Sequence, residues 1–324
     1  MRTLFQELKD HSAAVADSPA VARTFGRARG PGGSAPGANT MPLDAVQSAL
    51  YRADKADSEQ RLGNSDALHA SAFTRNPLCP RLYVLARGMR KAGAVFRERI
   101  FGSQRLVWAY GRATETHVRA QFASMPEWRG KMYGVWRCMC GKTADTGLYD
   151  DTRKCPVCDS GLTVYDELPM SAKGRLLTGS CDMAMMHDDA IQIFEIKSIK
   201  QNSTAQHPGF DDVNTPLFDH GVQGTHYRDI WRANGFRVYD RPAVIYVRKE
   251  FDTKNWYKFL VPSDTQQAHI DETVKEHQSV ADDYRDALRD GAVPPKIAQC
   301  QDNPEACRKT CPVWVECVSQ RDAV

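Results

Sequence analysis

Ten cysteines are the feature that most limits how this chain of 324 residues can fold, because they are clustered rather than scattered. Four lie between positions 138 and 158 and four between positions 300 and 317, whereas Cys79 and Cys181 stand apart. The N-terminal residues lack the apolar core of an export signal, so we expect a reducing, cytoplasmic compartment in which disulfides are uncommon. Cysteines grouped in this way then indicate metal binding.

The first cysteine group forms two short knuckles, Cys138-Met139-Cys140 and Cys155-Pro156-Val157-Cys158. Two such knuckles can surround one tetrahedral Zn²⁺, and four protein ligands favour a structural metal over a catalytic one. We therefore predict a zinc site built from Cys138, Cys140, Cys155 and Cys158. The surrounding residues, 134–162, resemble a zinc-ribbon insertion, although the first knuckle is one residue shorter than the usual CxxC.

The bulk composition is that of an ordinary globular protein, with 42% hydrophobic and 26% charged residues. The net charge of +3 does not by itself indicate nucleic acid, but it permits a local basic groove. The chain has no apolar run long enough to predict a membrane span. We expect residues 1–65 to form a flexible tail with a short helix, because the run Gly30–Thr40 cannot bury a core. Residues 66–324 should form one domain.

Alternating and continuous apolar patterns predict an α/β fold with a mixed central sheet flanked by helices. A helix should hold His117, and two more should follow the main strands. The predicted strands are 162–168, 176–186, 191–199, 243–249 and 256–261, and the later helices are 219–234 and 264–289.

The sequence Glu195-Ile196-Lys197 lies on one of these strands, so the carboxylate and the amine project to the same side. A hairpin through 187–189 would place Asp182 beside Glu195. Two adjacent carboxylates favour a cation between them, and hard oxygen ligands suit Mg²⁺ or Mn²⁺. Lys197 could then orient a water or neutralise charge on a phosphate, and His117 could add a nitrogen ligand. An E-x-K pattern alone, however, is also typical of a solvated strand face.

Four motifs together resemble the PD-(D/E)xK nuclease superfamily, and its RecB-like branch in particular. They are GRATETH ending at His117, GSCD ending at Asp182, EIK from Glu195, and GVQGTHY with its QxxxY pair. The resemblance implies metal ligation by His117, Asp182, Glu195 and the Ile196 carbonyl. It implies catalysis by Lys197 and DNA contacts by Gln223 and Tyr227.

The same resemblance extends to the second cysteine group. RecB-like nucleases with an iron–sulfur cluster have one cysteine before the nuclease core and three near the C-terminus. The resemblance thus implies a [4Fe–4S] cluster on Cys79, Cys307, Cys311 and Cys317, with Cys300 as an alternative ligand. Zinc at these C-terminal cysteines stays open, because the spacing of Cys307 and Cys311 departs from the family pattern.

The function implied by the resemblance is a metal-dependent DNA nuclease, an exonuclease acting on single-stranded or duplex ends. Because no helicase motif is present, a helicase or recombination partner would supply any unwinding. A non-catalytic nucleic-acid-binding module and an RNA-directed nuclease remain alternatives. The basic stretch from Arg75 to Arg105, with Tyr83, Phe96 and Phe101 interleaved, fits either a strand-binding channel or a solvated helix over core aromatics.

Overall fold

The computed structural model describes residues 68–70, 73, 79–92, 102–202, 208–249, 256–305, 308, 311 and 313–319. All of them belong to one compact unit. The predicted tail and short helix over 1–65 lie outside the described residues.

Within the described residues, three helices follow a short first strand, and seven strands come next in the chain before the following helix. The strands are β1 (Leu68–His69), β2 (Tyr133–Cys138), β3 (Ala144–Leu148), β4 (Leu162–Asp166), β5 (Met170–Ser171), β6 (Leu177–Gly179), β7 (Met183–His187), β8 (Ala190–Ile199), β9 (Ala243–Arg248) and β10 (Tyr257–Leu260). The helices are α1 (Pro80–Lys91), α2 (Gly102–Ser124), α3 (Pro126–Arg129), α4 (Phe218–Ala233), α5 (Asp264–Asp290), α6 (Ala298–Asp302) and α7 (Trp314–Ser319).

A four-stranded sheet with the order β10-β9-β8-β7 is the centre of the fold. Strands β8 and β9 run parallel, whereas the two outer pairs are antiparallel. The predicted mixed sheet is therefore confirmed. The observed strand and helix bounds lie within one or two residues of the predictions for β8, β9, β10, α4 and α5.

The predicted hairpin between β7 and β8 is also confirmed. Asp188 and Asp189 have φ values of 46° and 61°, so both occupy the left-handed region. Two residues with positive φ give the tight turn whose twist matches that of antiparallel strands. The turn fixes the register in which Met183 lies opposite Phe194.

The single strand predicted over 176–186 is wrong, because the chain leaves one sheet and enters another. Strand β6 pairs with β1 and β5, whereas β7 begins at Met183 and pairs with β8. Asp182 lies between them rather than inside a strand. Its side-chain Oδ2 accepts a hydrogen bond from the backbone N–H of Ile196 at 2.6 Å. If β7 continued through this position, a backbone carbonyl oxygen would accept that hydrogen bond instead.

Both faces of the central sheet are buried, and strand β8 contributes to each. Phe194 and Ile196 lie in a first core with residues of α2, β2 and β4. Ile191 and Ile193 lie in a second core with aromatic residues of α4 and α5. Because side chains alternate along a strand, Glu195 lies on the face of β8 that is turned towards α4.

The residues predicted to form a ribbon fold as a separate three-stranded antiparallel sheet of order β3-β2-β4. This sheet extends to Asp166, beyond the predicted end at 162. Trp136, Leu162 and Tyr165 are buried in the first core. The ribbon is therefore packed into the body of the domain and does not stand apart from it.

A third core joins the two ends of the described chain. Leu82 and Leu85 of α1 pack with Val313 and Cys317 near the C-terminus. The buried Arg81 side chain donates to the carbonyl oxygens of Pro294 and Cys317 at 2.9 and 3.3 Å. Among the described helices, none combines the length and apolar character needed to cross a membrane.

Candidate functional site

Strand β8 places Glu195 and Lys197 at the centre of a polar cluster within the domain. Glu195 is fully buried, and its Oε1 accepts a hydrogen bond from Lys197 Nζ. Burial disfavours the charged form of Lys197, but attraction to Glu195 and Asp182 outweighs it and raises the lysine pKa. The other carboxylate oxygen, Glu195 Oε2, is buried without a hydrogen-bond partner.

Asp182 lies next to this pair because its carboxylate is fixed on β8. Besides accepting the Ile196 N–H, it is only 8% exposed. Burial, followed by repulsion from Glu195, raises its pKa well above the ordinary range. Burial also raises the pKa of Glu195, although Lys197 opposes that shift.

Two further glutamates complete the cluster. Oxygens of Glu115, Glu167 and Asp182 all lie within 4.8 Å of one another, so the three could hold one metal ion. Burial raises the pKa of Glu115, with Lys197 acting against it and Glu167 adding to it. Several carboxylates this close repel one another when ionised, and a divalent cation with oxygen ligands would relieve that repulsion. The unpartnered Glu195 Oε2 also fits such an ion.

Glu167 is held in place by two neighbours. Arg119 of α2 pairs with its Oε1, and Ser180 Oγ donates to its Oε2 at 2.7 Å. Arg119 also reaches the backbone oxygen of Asp182 at 3.5 Å. One guanidinium therefore connects Glu167 with the segment that positions Asp182.

His117 does not join this cluster in the structure. It is exposed on α2, whereas Glu115 is partly buried and contributes its carboxylate. Helical periodicity explains the difference, since Glu115 lies on the same face as the buried Val118 and Phe122. That spacing could have identified Glu115 from the sequence. Glu167 could not have been found in this way, because it lies in the irregular segment after β4.

Helix α4 brings the two residues of the QxxxY motif together. Gln223 Nε2 donates to Tyr227 Oη at 2.8 Å. Burial, followed by the nearby charge of Glu195, raises the pKa of Tyr227. Gly179 makes this position possible, since a Cβ there would lie 2.6 Å from Tyr227 Cε1. Tyr227 is therefore adjacent to the carboxylates, and the partly buried Gln223 lies one turn earlier in the helix.

The four cysteines of the ribbon converge at one point. All four sulfurs lie within 4.8 Å of one another, with 3.3 Å between Cys138 and Cys158 and 3.6 Å between Cys140 and Cys155. Each knuckle ends in a residue of positive φ, Gly141 in the first and Asp159 in the second. The short first knuckle therefore still closes its turn.

Three cysteines of the second predicted set also lie near one another. Cys79 and Cys317 are buried in the third core and Cys311 packs against it. Burial, and then the neighbouring Cys317, raises the pKa of Cys311. Cys300 is disulfide-bonded, and Cys307 lies outside the described residues. The iron–sulfur assignment stays a prediction.

The basic stretch from Arg75 to Arg105 has one described aromatic residue, Tyr83, and this residue does not fit a channel that binds single-stranded DNA. Tyr83 is buried and packs edge-on against Phe73 and Tyr284. Tyr83 is thus part of the core and is not available to stack on a base. Phe96 and Phe101 lie outside the described residues.

Solved structures include chains that are similar to this one. A chain of an alkaline exonuclease (LHK-Exo) from Laribacter hongkongensis is similar with a TM-score of 0.33 and 12% sequence identity, over 70% of this chain and 94% of that chain. No family model matches this sequence. No curated protein matches it either.

Proposed function

We propose that this chain is a metal-dependent DNA nuclease with a site of the PD-(D/E)xK type. The observation that carries the proposal is the group of Glu115, Glu167 and Asp182 oxygens within 4.8 Å, beside the buried pair Glu195–Lys197. Carboxylates and a lysine arranged on a strand and its hairpin partner are what the motif resemblance implies. The proximity of these side chains supports the proposal.

A Mg²⁺ or Mn²⁺ ion is the proposed occupant, and Asp182, Glu195, Glu115 and the Ile196 carbonyl would hold it. Glu167 lies beside them, with its two oxygens engaged by Arg119 and Ser180. The N–H of Ile196 points at Asp182, and the N–H and C=O of one strand residue face the same neighbour. The Ile196 carbonyl therefore also faces the Asp182 side. When bound, such an ion polarises a phosphate oxygen and lowers the pKa of a coordinated water. His117, exposed outside the cluster, is not retained as a ligand.

The chain's own residues would position the reactants. Lys197 stays protonated because its pKa is raised, so its ammonium can orient the attacking water and offset negative charge on the phosphate. Gln223, partly buried and bonded to Tyr227, can donate to a phosphate next to the cleaved bond. Arg119 positions Glu167 and the backbone of Asp182.

The finer parts of the proposal rest on the motif resemblance. We propose an exonuclease that acts on DNA ends in recombination, repair, replication or phage DNA processing, with a helicase or recombination partner for duplex substrates. Zn²⁺ on the ribbon cysteines would stabilise the sheet β3-β2-β4. A [4Fe–4S] cluster on Cys79, Cys307, Cys311 and Cys317 would join the ends of the domain.

The test compares the wild type with Lys197→Ala on end-labelled linear DNA and on closed circular DNA. Each reaction is run with Mn²⁺, with Mg²⁺ and with EDTA. We expect the wild type to degrade linear DNA only with metal, and Lys197→Ala to be slower by about 100-fold or more. Sparing of the circles would identify an exonuclease.

The proposal fails if both proteins bind DNA and neither cleaves it with either metal. The chain would then be a binding module with the same architecture. Equal cleavage by both proteins would place the chemistry elsewhere in the chain or in a contaminant.

A further inference from the structure

Helix α2 carries a row of side chains that leads from the carboxylate cluster to solvent. Trp108, Arg112, Glu115 and Arg119 recur every three or four residues, so they lie on one face of the helix. Phe122 continues the same face and is buried in the first core. The proposed metal ligand Glu115 is therefore in line with two residues that have no role in the site described above.

Burial along this face decreases towards the N-terminal end of α2. The side chain of Arg119 is 11% exposed, and Glu115 and Arg112 are partly buried. Trp108 is 37% exposed. This face is therefore most exposed at Trp108, and a ligand that approaches the carboxylates along it would pass Trp108 first and Arg112 next.

Trp108 has the chemistry of a base-stacking residue. Among the described residues, it is the one aromatic side chain in the set of exposed large hydrophobic residues. An indole can stack on any base, because every base has a π-face. A helix rises about 1.5 Å per residue, so Trp108 lies about 10 Å along the axis from Glu115. That distance corresponds to a base within a few nucleotides of the carboxylates.

Arg112 lies between the aromatic residue and the carboxylate. Its charge acts on Glu115 and lowers the pKa of that carboxyl against the dominant effect of burial. A guanidinium binds phosphate oxygens with charge-assisted hydrogen bonds. The order along the helix, with an aromatic ring, then a cation, then a carboxylate, matches a base, a backbone phosphate and the phosphate to be cleaved.

We propose that Trp108 and Arg112 form a nucleotide subsite for the single-stranded end of a DNA substrate. Trp108 stacks on an unpaired base, and Arg112 binds the phosphate between that base and the carboxylate cluster. The occupant is a single strand because a base must leave its own stack to lie on an indole. The identity of the substrate rests on the proposed nuclease function, whereas the subsite itself is a binding property.

The experiment measures binding of a 5′-labelled single-stranded deoxyoligonucleotide by fluorescence anisotropy. Ca²⁺ replaces Mn²⁺, and Lys197→Ala serves as the parent protein, so that the DNA is not consumed. Stacking of one base contributes about 1–3 kcal/mol, so Trp108→Ala should weaken binding by about 5- to 150-fold. Trp108→Phe should recover most of the loss. Arg112→Gln should reduce the salt dependence by about one phosphate contact.

Val107→Ala is the matched control, because Val107 is 53% exposed and adjacent to Trp108 but lies on a different face of α2. A series of oligonucleotides, each with one abasic position, then locates the stacked base. In the parent protein one position near the end should be sensitive. In Trp108→Ala that position should become insensitive, because the base and the indole act as a pair.

The subsite is overturned if Trp108→Ala binds like its parent or if Val107→Ala is equally impaired. It is also overturned if the abasic profile is the same with and without Trp108, or if only duplex or RNA probes respond to the substitution. The proposed nuclease activity is tested separately, through cleavage by the wild type. A Trp108-dependent abasic profile without cleavage keeps the subsite and rejects the nuclease, whereas cleavage without such a profile does the reverse.

Discussion

The backbone N–H of Ile196 donates a 2.6 Å hydrogen bond to Oδ2 of Asp182. A buried acid is thereby fixed against the strand that holds Glu195 and Lys197, before any cation is bound. A hydrogen bond to a carboxylate favours its charged form, yet burial and the neighbouring acids still raise the Asp182 pKa. The cluster is thus geometrically prepared for a cation and electrostatically unfavourable without one.

Glu115 and His117 provide a matched pair of substitutions on one helix. Glu115→Gln should lower metal-dependent cleavage by about 100-fold or more and raise the Mn²⁺ concentration needed for half-maximal activity, because a charged ligand is lost. His117→Ala should change both quantities by less than about twofold, since this side chain is exposed. Activity measured over a Mn²⁺ titration distinguishes them. The opposite ranking would restore His117 as a ligand and remove Glu115.

The metal-free protein should become less stable through Asp182 as the pH rises. An acid with a raised pKa binds more protons folded than unfolded, so stability falls from pH ~4 up to the raised pKa. Asp182→Asn should therefore raise Tm in EDTA, and more at pH 8 than at pH 5. A shift of about 2–4 °C is expected for each kcal/mol recovered.

The exposed residue Asp151 supplies the control for this experiment, because Asp151→Asn should leave Tm nearly unchanged at both pH values. Addition of Mn²⁺ should reverse the order, stabilising the wild type more than Asp182→Asn. If the wild type is more stable than Asp182→Asn in EDTA at pH 8, the charge of Asp182 does not destabilise the metal-free protein.

The ribbon cysteines should bind one zinc ion per chain. Cys138→Ser should abolish that zinc and lower the stability of the domain, because Cys138 and Cys155 both belong to the first core. Met139→Ser changes the residue between the two cysteines, which is 84% exposed, and should retain the metal. Elemental analysis of purified protein with thermal unfolding measures both effects. Full zinc content in Cys138→Ser would mean that the sulfurs converge without serving as its ligands.

Gly179 should be intolerant of a side chain although its backbone conformation is ordinary. A Cβ at this position would lie 2.6 Å from the ring of Tyr227, so Gly179→Ala must displace a buried aromatic residue next to Glu195. We expect a loss of about 1–3 kcal/mol in the free energy of unfolding, with reduced kcat/KM. Gly130→Ala, where a Cβ meets nothing within 4 Å, is the control. Urea unfolding and cleavage rates of the two variants decide the point.

The sequence was most informative where one strand carried several features at once. Alternation placed Glu195 and Lys197 on one side of β8, and two aspartates marked the turn that returns the chain to Asp182. The interruption between β6 and β7 was not predictable. It depends on the side chain of Asp182, which accepts the Ile196 N–H in place of a backbone carbonyl oxygen. Apolar patterns do not record such a replacement.

The residues contributed by other elements were harder to predict. His117 and Glu115 are two positions apart, which is roughly 200° around a helix, so an assignment by motif alone chose the side facing solvent. Glu167 depends on how the segment after β4 approaches Arg119 and Ser180. That approach is a property of the packed ribbon and leaves no local signal in the sequence.

The turn at Asp188 and Asp189 also restricts how the length of this hairpin can change. Five residues of β7 and five of β8 separate the turn from Asp182 and Glu195, so the two acids lie at matching positions on either side of it. Deletion of one residue from either strand would bring a neighbour of opposite orientation beside its partner. Relatives of this protein should therefore gain or lose residues between the two acids in pairs, with one residue on each strand. A change by an odd number of residues should appear only where a β-bulge restores the register.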